Sequence, residues 1–319
     1  MKLSDLGEFG LIARIRERFP APDGVTGIGD DCALLPPSYN QDTLVSTDML
    51  VEGTHFLRKE ITPYDLGWKS AAVNLSDIAA MGGKPTGTFL SLALPANLEV
   101  EWVDEFLRGY GDVSARFDTP LLGGDTTASP DRICVNVTVL GECQVHFAKK
   151  RCDAKVDDLV CVTGTLGDSA GGLKAILKGV QRDADVQKLI EKHYRPVPRV
   201  KEGQELRLNL GVHAMMDISD GIGSDLDHIL EASEVDADID MQAIPLSLAL
   251  KRVCARHGWD PLELAVGGGE DYELLFTCTR QAEALICVPH FVIGKITKRS
   301  YGHSERSRGI SGFDHFKKR

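Results

Sequence analysis

The fold turns on Thr62–Leu94, which reads TPYDLGWKSAAVNLSDIAAMGGKPTGTFLSLAL. Thr62 suits a helix cap, Pro63 the first helical position and Asp65 the first turn. The predicted helix runs to about Met81 and stops at Gly82-Gly83, with Pro85 beyond it. Thr86–Leu94 then reads as a strand. Inside the helix, Ser70, Asn74 and Asp77 recur at i, i+4 and i+7 and share one face. Their neighbours Ala71, Ala72, Val73, Ile78 and Ala79 are small or apolar, as in a buried helix. A polar stripe on a buried helix needs partners, because an unpaired buried charge is costly. Two readings stand at this point. Either the stripe is the exposed face of a partly solvated helix, or Asp77 points into a cation-filled cleft.

Outward from this stretch, Leu44–Thr47 reads as a strand with Asp48 closing it. Residues 5–19 carry Leu6, Phe9, Ile12 and Ile15 at helical spacing, with Pro20 as the stop. Val100–Phe117 is a second helical stripe, and Ile133–Val139 alternates as a half-buried strand does. A later block follows: strand Asp157–Thr163, helix Asp168–Leu177, the breaker Arg195-Pro-Val-Pro-Arg199 and strand Ala214–Ile218. A helix from about Ser219 to Glu231 and strands Tyr272–Thr277 and Phe291–Ile296 complete it. Helices and strands alternate throughout, so the fold class is α/β or α+β. The polar stretch Lys149–Asp158 sets the expected boundary, giving domains 1–148 and 149–319; the chain's 319 residues suit two domains.

Apolar residues make up 43%, enough for packed cores. Lys and Arg number 36 against 47 Asp and Glu, a formal charge of −11. Residues 295–319 hold eight of those bases and two of the acids, so residues 1–294 carry 28 bases against 45 acids. That balance argues against a nucleic-acid partner, which needs clustered positive charge. The longest stretch without charge, Pro85–Leu98, has 14 residues, short of the roughly 20 that span a bilayer. Acids interrupt what would be a signal-peptide core at the N-terminus. The eight cysteines form no CxxC pair and read as reduced thiols. A cytoplasmic, membrane-free protein is the expectation.

Familiar nucleotide and hydrolase signatures are missing: GxxxxGK[ST], GxGxxG between strand and helix, HExxH and GxSxG do not occur. The glycine runs end instead in acids, at Gly27-Ile-Gly29-Asp30-Asp31, Gly123-Gly124-Asp125 and Gly267-Gly268-Gly269-Glu270-Asp271. Asp48 and Asp217 follow apolar strands, and Asp220 comes three residues after Asp217. Any one Gly-Asp is ordinarily a turn. Five acidic elements at strand ends or glycine turns are harder to dismiss, because strand ends gather at one sheet edge. Convergent carboxylates repel unless a cation lies among them, and hard oxygen ligands select Mg²⁺ or Ca²⁺.

These segments, together with Ser46-Thr-Asp48, Glu52-Gly53-Thr-His55-Phe56, Asn74-Leu-Ser-Asp77, Met216-Asp-Ile-Ser-Asp-Gly221 and Gly312-Phe-Asp-His-Phe316, resemble the thiamine-monophosphate kinases. They fall in the family's order and span nearly the whole chain. The resemblance implies the two-domain fold of aminoimidazole ribonucleotide synthetase, with mixed sheets flanked by helices. Its N-terminal domain binds Mg²⁺ and ATP and pairs across a homodimer; its C-terminal domain closes over nucleotide and substrate. The implied reaction moves the γ-phosphoryl group of ATP to thiamine monophosphate by in-line transfer, as the last step of thiamine diphosphate biosynthesis. Several Mg²⁺ ions are implied, with ligands matching Asp31, Ser46, Thr47 and Asp48 in the first segments. Asp77, Asp125, Asp217 and Asp220 complete that set. Nucleotide contacts match Gly124, Asp125, Arg151 and Ser219, and substrate contacts match His55, Glu270 and Phe313.

The residue inventory suits that chemistry. Phosphoryl transfer is mostly positioning and charge neutralisation, which metals among carboxylates supply. The acceptor is itself a phosphate, largely dianionic at pH 7 with a second pKa of about 6, so no general base is assigned. Arg151 is either a surface arginine or a fixed cation near phosphate. His55 is either structural or a substrate contact. Phe313 is either a core anchor or a ring that stacks on a cationic thiazolium. The alternatives are a relative of the same fold with another acceptor, such as selenophosphate synthetase or a hydrogenase-maturation dehydratase, and a non-catalytic acidic cation-binding protein.

Overall fold

A computed structural model describes residues 2, 8–20, 22–23 and 39–299. Asp31 and Phe313 lie outside these. The chain divides into two compact units: Met1–Ile78 with Gly83–His146, and Ala79–Gly82 with Phe147–Arg319.

The first unit follows helix α1 (Glu8–Arg18) with β1 (Gln41–Val51), α2 (Pro63–Ala80), β2 (Lys84–Pro95), α3 (Val100–Arg116), β3 (Leu121–Ser129) and β4 (Cys134–Gln144). Its sheet is mixed and runs β1-β4-β2-β3. β1 and β2 lie antiparallel to β4, while β2 and β3 are parallel, joined through α3 as a parallel pair requires. Val135, Val137 and Val139 of β4 are buried with Leu90 and Leu92 of β2 and with the Val103, Phe106, Leu107 and Tyr110 stripe of α3. Two glycines let α2 and α3 touch backbone to backbone. A Cβ on Gly67 would lie 1.9 Å from the Phe106 carbonyl oxygen, and one on Gly109 the same distance from that of Tyr64. This close crossing seats α2 and fixes which of its residues meet β1.

Two expectations are corrected here. β1 does not end at Thr47. It pairs with β4 through Val51, so Asp48 sits inside the strand opposite Val137. Gly123-Gly124-Asp125 is no turn but the middle of β3. A Cβ on Gly124 would come within 1.8 Å of the Leu90 carbonyl oxygen and one on Gly123 within 2.9 Å of the Phe89 ring, so the glycines admit β3 against β2.

The second unit contains β5 (Leu159–Thr163), α4 (Asp168–Leu177), α5 (Ala184–Tyr194), α6 (Val200–Leu208), β6 (Val212–Asp217) and α7 (Ile222–Ser233). β7 (Val235–Ile239), α8 (Leu248–His257), α9 (Pro261–Gly267), β8 (Leu274–Cys278), α10 (Arg280–Glu283) and β9 (His290–Lys298) follow. The sheet order is β6-β8-β5-β9-β7, antiparallel throughout. Val160, Met216, Leu275 and Ile293 of the sheet share a core with Ile222, Leu226 and Ile229 of α7. The expected strand from Tyr272 starts at Leu274, because Tyr272 has φ +51° and leaves the extended region. The expected helix from Ser219 starts at Ile222, because the backbone of residues 218–219 bonds elsewhere. Among the described residues no helix is long and apolar enough to cross a membrane.

Candidate functional site

Two acidic centres emerge, one in each unit. In the first, side chains alternate along β1, so Ser46 and Asp48 face inward while Val45, Thr47 and Met49 face out. The stripe on α2 meets that inward face. Ser70 and Asn74 are buried, and the helix partners them first: Ser70 Oγ donates to the Leu66 carbonyl at 2.7 Å and Asn74 Nδ2 to the Ser70 carbonyl at 3.0 Å. Asn74 Oδ1 accepts the Asp48 amide at 3.2 Å, and Ser46 Oγ donates to Asp77 Oδ2 at 2.5 Å. Burial pushes the Asp48 carboxyl up to about 6, and the negative charge of Asp77 adds to the rise. The partly solvated helix face is thereby excluded. The stripe meets a strand that brings a second carboxylate.

Thr47 is not brought into this group. Its hydroxyl lies on the outer face, 3.1 Å from the Val137 carbonyl oxygen and from Thr138 Oγ1. Asp125 and Gly124 lie on β3, the opposite edge of the sheet from β1, three strand spacings or about 14 Å away. His55 sits in the turn after β1, where Nδ1 accepts the Val51 amide at 3.0 Å; an accepting Nδ1 on a neutral ring places the proton on Nε2.

In the second unit, residues 217–221 and 268–273 are joined backbone to backbone. Ile218 N donates to the Glu273 carbonyl at 2.9 Å, Tyr272 N to that of Ile218 at 2.9 Å, and Glu270 N to that of Ser219 at 2.7 Å. Gly269 is required there, since a Cβ would lie 2.2 Å from the Ser219 oxygen. Asp217, Ser219, Asp220 and Glu270 are thus brought to one place. Asp217 is buried at the end of β6. Arg151 is exposed in a single 3₁₀ turn, Arg151–Asp153, whose first carbonyl accepts Ser233 Oγ at 2.8 Å.

Two acids here, Asp225 and Glu273, escaped the sequence reading, and Asp271 was read only as the end of a glycine run. Asp225 on α7 accepts the amides of Asp220 and Gly221 through Oδ2 at 3.2 and 3.1 Å, while its buried Oδ1 has no partner among the described residues. Burial, then the charges of Asp217 and Asp220, push its carboxyl up to about 8. Asp271 accepts Gly167 N at 2.7 Å and Ser169 N at 3.4 Å, at the N-terminus of α4; burial holds its carboxyl well above the ordinary value. Glu273 is fully enclosed and would be raised by burial, but Arg199, with nitrogens at 2.5 and 2.6 Å, and Lys192 at 3.2 Å hold it low. Glu270 Oε2 lies 3.2 Å from His193 Nδ1. A glutamate opening the otherwise apolar run Leu274–Phe276 was a legible request for a cation, and Arg199 closes a segment read only as a breaker.

Among the described residues no three His, Cys, Asp or Glu side chains form a group that could hold a metal ion. Mg²⁺ does not need one: it takes one or two carboxylates and completes its shell with waters and phosphate oxygens. The donors present fit it. They are all oxygen, Asp48 and Asp77 stand against each other, and Asp225 Oδ1 is a buried acceptor with no donor among the described residues. A shallow cavity of about 370 Å³ beside α5, bounded by Asp168, Lys188, Lys192, Arg195 and Ser247, is lined by none of the expected site residues.

Residues 29–143 match the AIR synthase related protein N-terminal domain and residues 155–303 the corresponding C-terminal domain. The thiamine-monophosphate kinase of Haemophilus influenzae is 38% identical over 332 aligned residues, covering 98% of each chain. The crystal structure of thiamine-monophosphate kinase from Stenotrophomonas maltophilia K279a superposes with a TM-score of 0.81 at 39% identity, covering 90% of this chain and 93% of that one. AaThiL complexed with AMPPCP and TMP superposes with a TM-score of 0.77 at 36% identity, covering 93% of both.

Proposed function

This chain belongs to the AIR synthase related family and, within it, to the thiamine-monophosphate kinases, and from that premise we propose how its residues divide the work. The enzyme transfers the γ-phosphoryl group of ATP to thiamine monophosphate, giving thiamine diphosphate and ADP. Asp48 and Asp77, with Ser46 bridging to Asp77, would hold Mg²⁺ in the first unit; Asp217 and Asp220 would do so in the second. Asp31, Asp125 and the backbone of Thr47 complete the proposed ligand set. When bound, Mg²⁺ supplies positive charge between two polyanions that otherwise repel.

The protein's own part is placement. Gly124, packed against the Leu90 backbone of β2, is assigned with Asp125, Arg151 and Ser219 to the nucleotide. His55, Glu270 and Phe313 are assigned to thiamine monophosphate, with Glu270 as the counter-charge to its cationic ring. No residue is assigned as general base, since the acceptor oxygen is already anionic. The observation that carries this reading is the Ser46, Asp48 and Asp77 grouping: two carboxylates set against each other by a strand and a helix, stable together once a cation lies between charge and charge.

A homodimer and a cytoplasmic setting belong to the same proposal. Val45 and Met49 on the outer face of β1 are 64% and 55% exposed, apolar surface suited to a second copy, and the free cysteines among the described residues suit a reducing compartment. The deciding experiment is a coupled assay of ADP release from ATP and Mg²⁺ with thiamine monophosphate, thiamine and other phosphorylated acceptors. Turnover restricted to thiamine monophosphate is expected; preference for another acceptor overturns the reading.

A further inference from the structure

Glu270 occupies a backbone position that disfavours it. Its φ is +65°, and although Gly267, Gly268 and Gly269 precede it, the left-handed residue is the glutamate. That conformation costs a non-glycine residue roughly 1–2 kcal/mol, tolerated where a side chain is needed at that point. The backbone around it is clamped on both sides. Glu270 N bonds to Ser219, Tyr272 N to Ile218, and the Asp271 carboxylate to the first amides of α4.

We propose that His193 is a positioning residue that sets the Glu270 carboxylate for thiamine monophosphate by holding Oε2 through its Nδ1 proton. The proposal rests on the assignment of Glu270 to the substrate. His193, at the end of α5, is 5% exposed at the side chain while Glu270 is 26% exposed, so a buried ring holds a carboxylate that reaches solvent. Nδ1 lies 3.2 Å from Glu270 Oε2 and 3.0 Å from Ser169 Oγ. A carboxylate only accepts, so in the tautomer that serves Glu270 the single Nδ1 hydrogen is shared between Glu270 Oε2 and Ser169 Oγ, both accepting. The ring also packs on Tyr194, centroid to centroid 5.3 Å.

The choice of histidine has a chemical consequence. A histidine meets the carboxylate at one oxygen, Oε2, and part of the Glu270 side chain stays exposed toward a cationic thiazolium. Glu273, three residues on, shows the opposite arrangement: Arg199 and Lys192 neutralise it, and it serves the fold. One strand entry thus carries a cancelled carboxylate and a presented one.

His193→Phe keeps a ring beside Tyr194 and removes the donor; His193→Asn keeps an N–H close to the Nδ1 position. His193→Phe should raise KM for thiamine monophosphate about tenfold, the scale of one charge-assisted hydrogen bond, with KM for ATP unchanged, and His193→Asn should restore most of the loss. An unchanged KM for thiamine monophosphate, an equal rise for ATP, or no rescue by asparagine overturns the proposal. Glu270→Gln is measured in parallel. If it raises KM for thiamine monophosphate while His193→Phe does not, the assignment of Glu270 stands and the positioning role fails. If it leaves KM unchanged, the assignment itself fails. Should His193→Phe not fold, Ser169→Ala frees the ring from its other partner and should raise the same KM about threefold, a fraction of one hydrogen bond's worth; no change overturns the role.

Discussion

The two acidic centres are built by opposite means. In the first unit a regular strand and a regular helix bring Asp48 and Asp77 together, and burial and the charge of Asp77 both work against ionisation of Asp48. In the second unit irregular backbone places the acids, and most are individually answered. Asp271 has two amides, Glu273 has Arg199 and Lys192, and Glu270 has His193. Of the described carboxylates only Asp225 keeps a buried oxygen without a partner among the described residues. The first centre leaves its charge to be satisfied by what binds; the second uses most of its charge to hold its own loops. Substitutions should therefore separate activity from stability differently in the two units.

The largest effect is expected at Asp77. Asp77→Asn still offers an oxygen to Ser46 Oγ and removes the charge that opposes Asp48. Turnover should fall by about a thousandfold or more, the scale of losing charge stabilisation in phosphoryl transfer. The melting temperature of the metal-free variant should equal or exceed that of the parent. Near-normal turnover, or a destabilised variant, would break the contrast.

Glu273→Gln tests the other side. Removing one partner of a buried ion pair costs about 3–5 kcal/mol, and the low end applies because the Lys192 and Arg199 side chains remain 35% and 23% exposed. Urea unfolding should show that loss as a lower midpoint. Residual activity per folded molecule should change far less than for Asp77→Asn, and the reverse order would mean that the two centres share one design.

How much of this was legible follows from the range of the contacts. The Ser70, Asn74 and Asp77 stripe could be read because helical spacing is local and its apolar neighbours demanded burial. The Asp168–Leu177 helix was read to its observed ends. Gly123-Gly124 misled because a glycine pair means a turn unless another strand passes close, and only the Leu90 carbonyl tells which. Asp48 looked like a strand end because an acid interrupts an apolar run, yet Asn74, 26 residues away, takes its amide and β1 continues. His193 meets Glu270, and Lys192 and Arg199 meet Glu273, across 74 to 81 residues of sequence. No local pattern announces such pairs; a lone acid beside an apolar strand is the nearest signal.

The smallest expected effect is on the pH dependence of stability without metal. Asp48 is raised from about 3.8 to about 6 and Asp225 to about 8. Between the ordinary and the raised value the folded chain binds more protons than the unfolded chain, so stability falls as pH rises. The contribution of Asp48 is complete below about pH 4 and gone above about 6; that of Asp225 declines until about 8. Glu273 acts in the opposite sense: its lowered carboxyl adds stability above the ordinary value of 4.5 that is lost as pH falls through its folded pKa. Thermal unfolding in EDTA should therefore show melting temperature declining from pH 5 to 8.5. Asp48→Asn should flatten the lower part of that decline and Asp225→Asn the upper part. Added Mg²⁺ should flatten both in the parent, because a bound cation favours the ionised forms. If the decline survives both substitutions, the charge left unanswered in the bare chain lies elsewhere than in these two carboxylates.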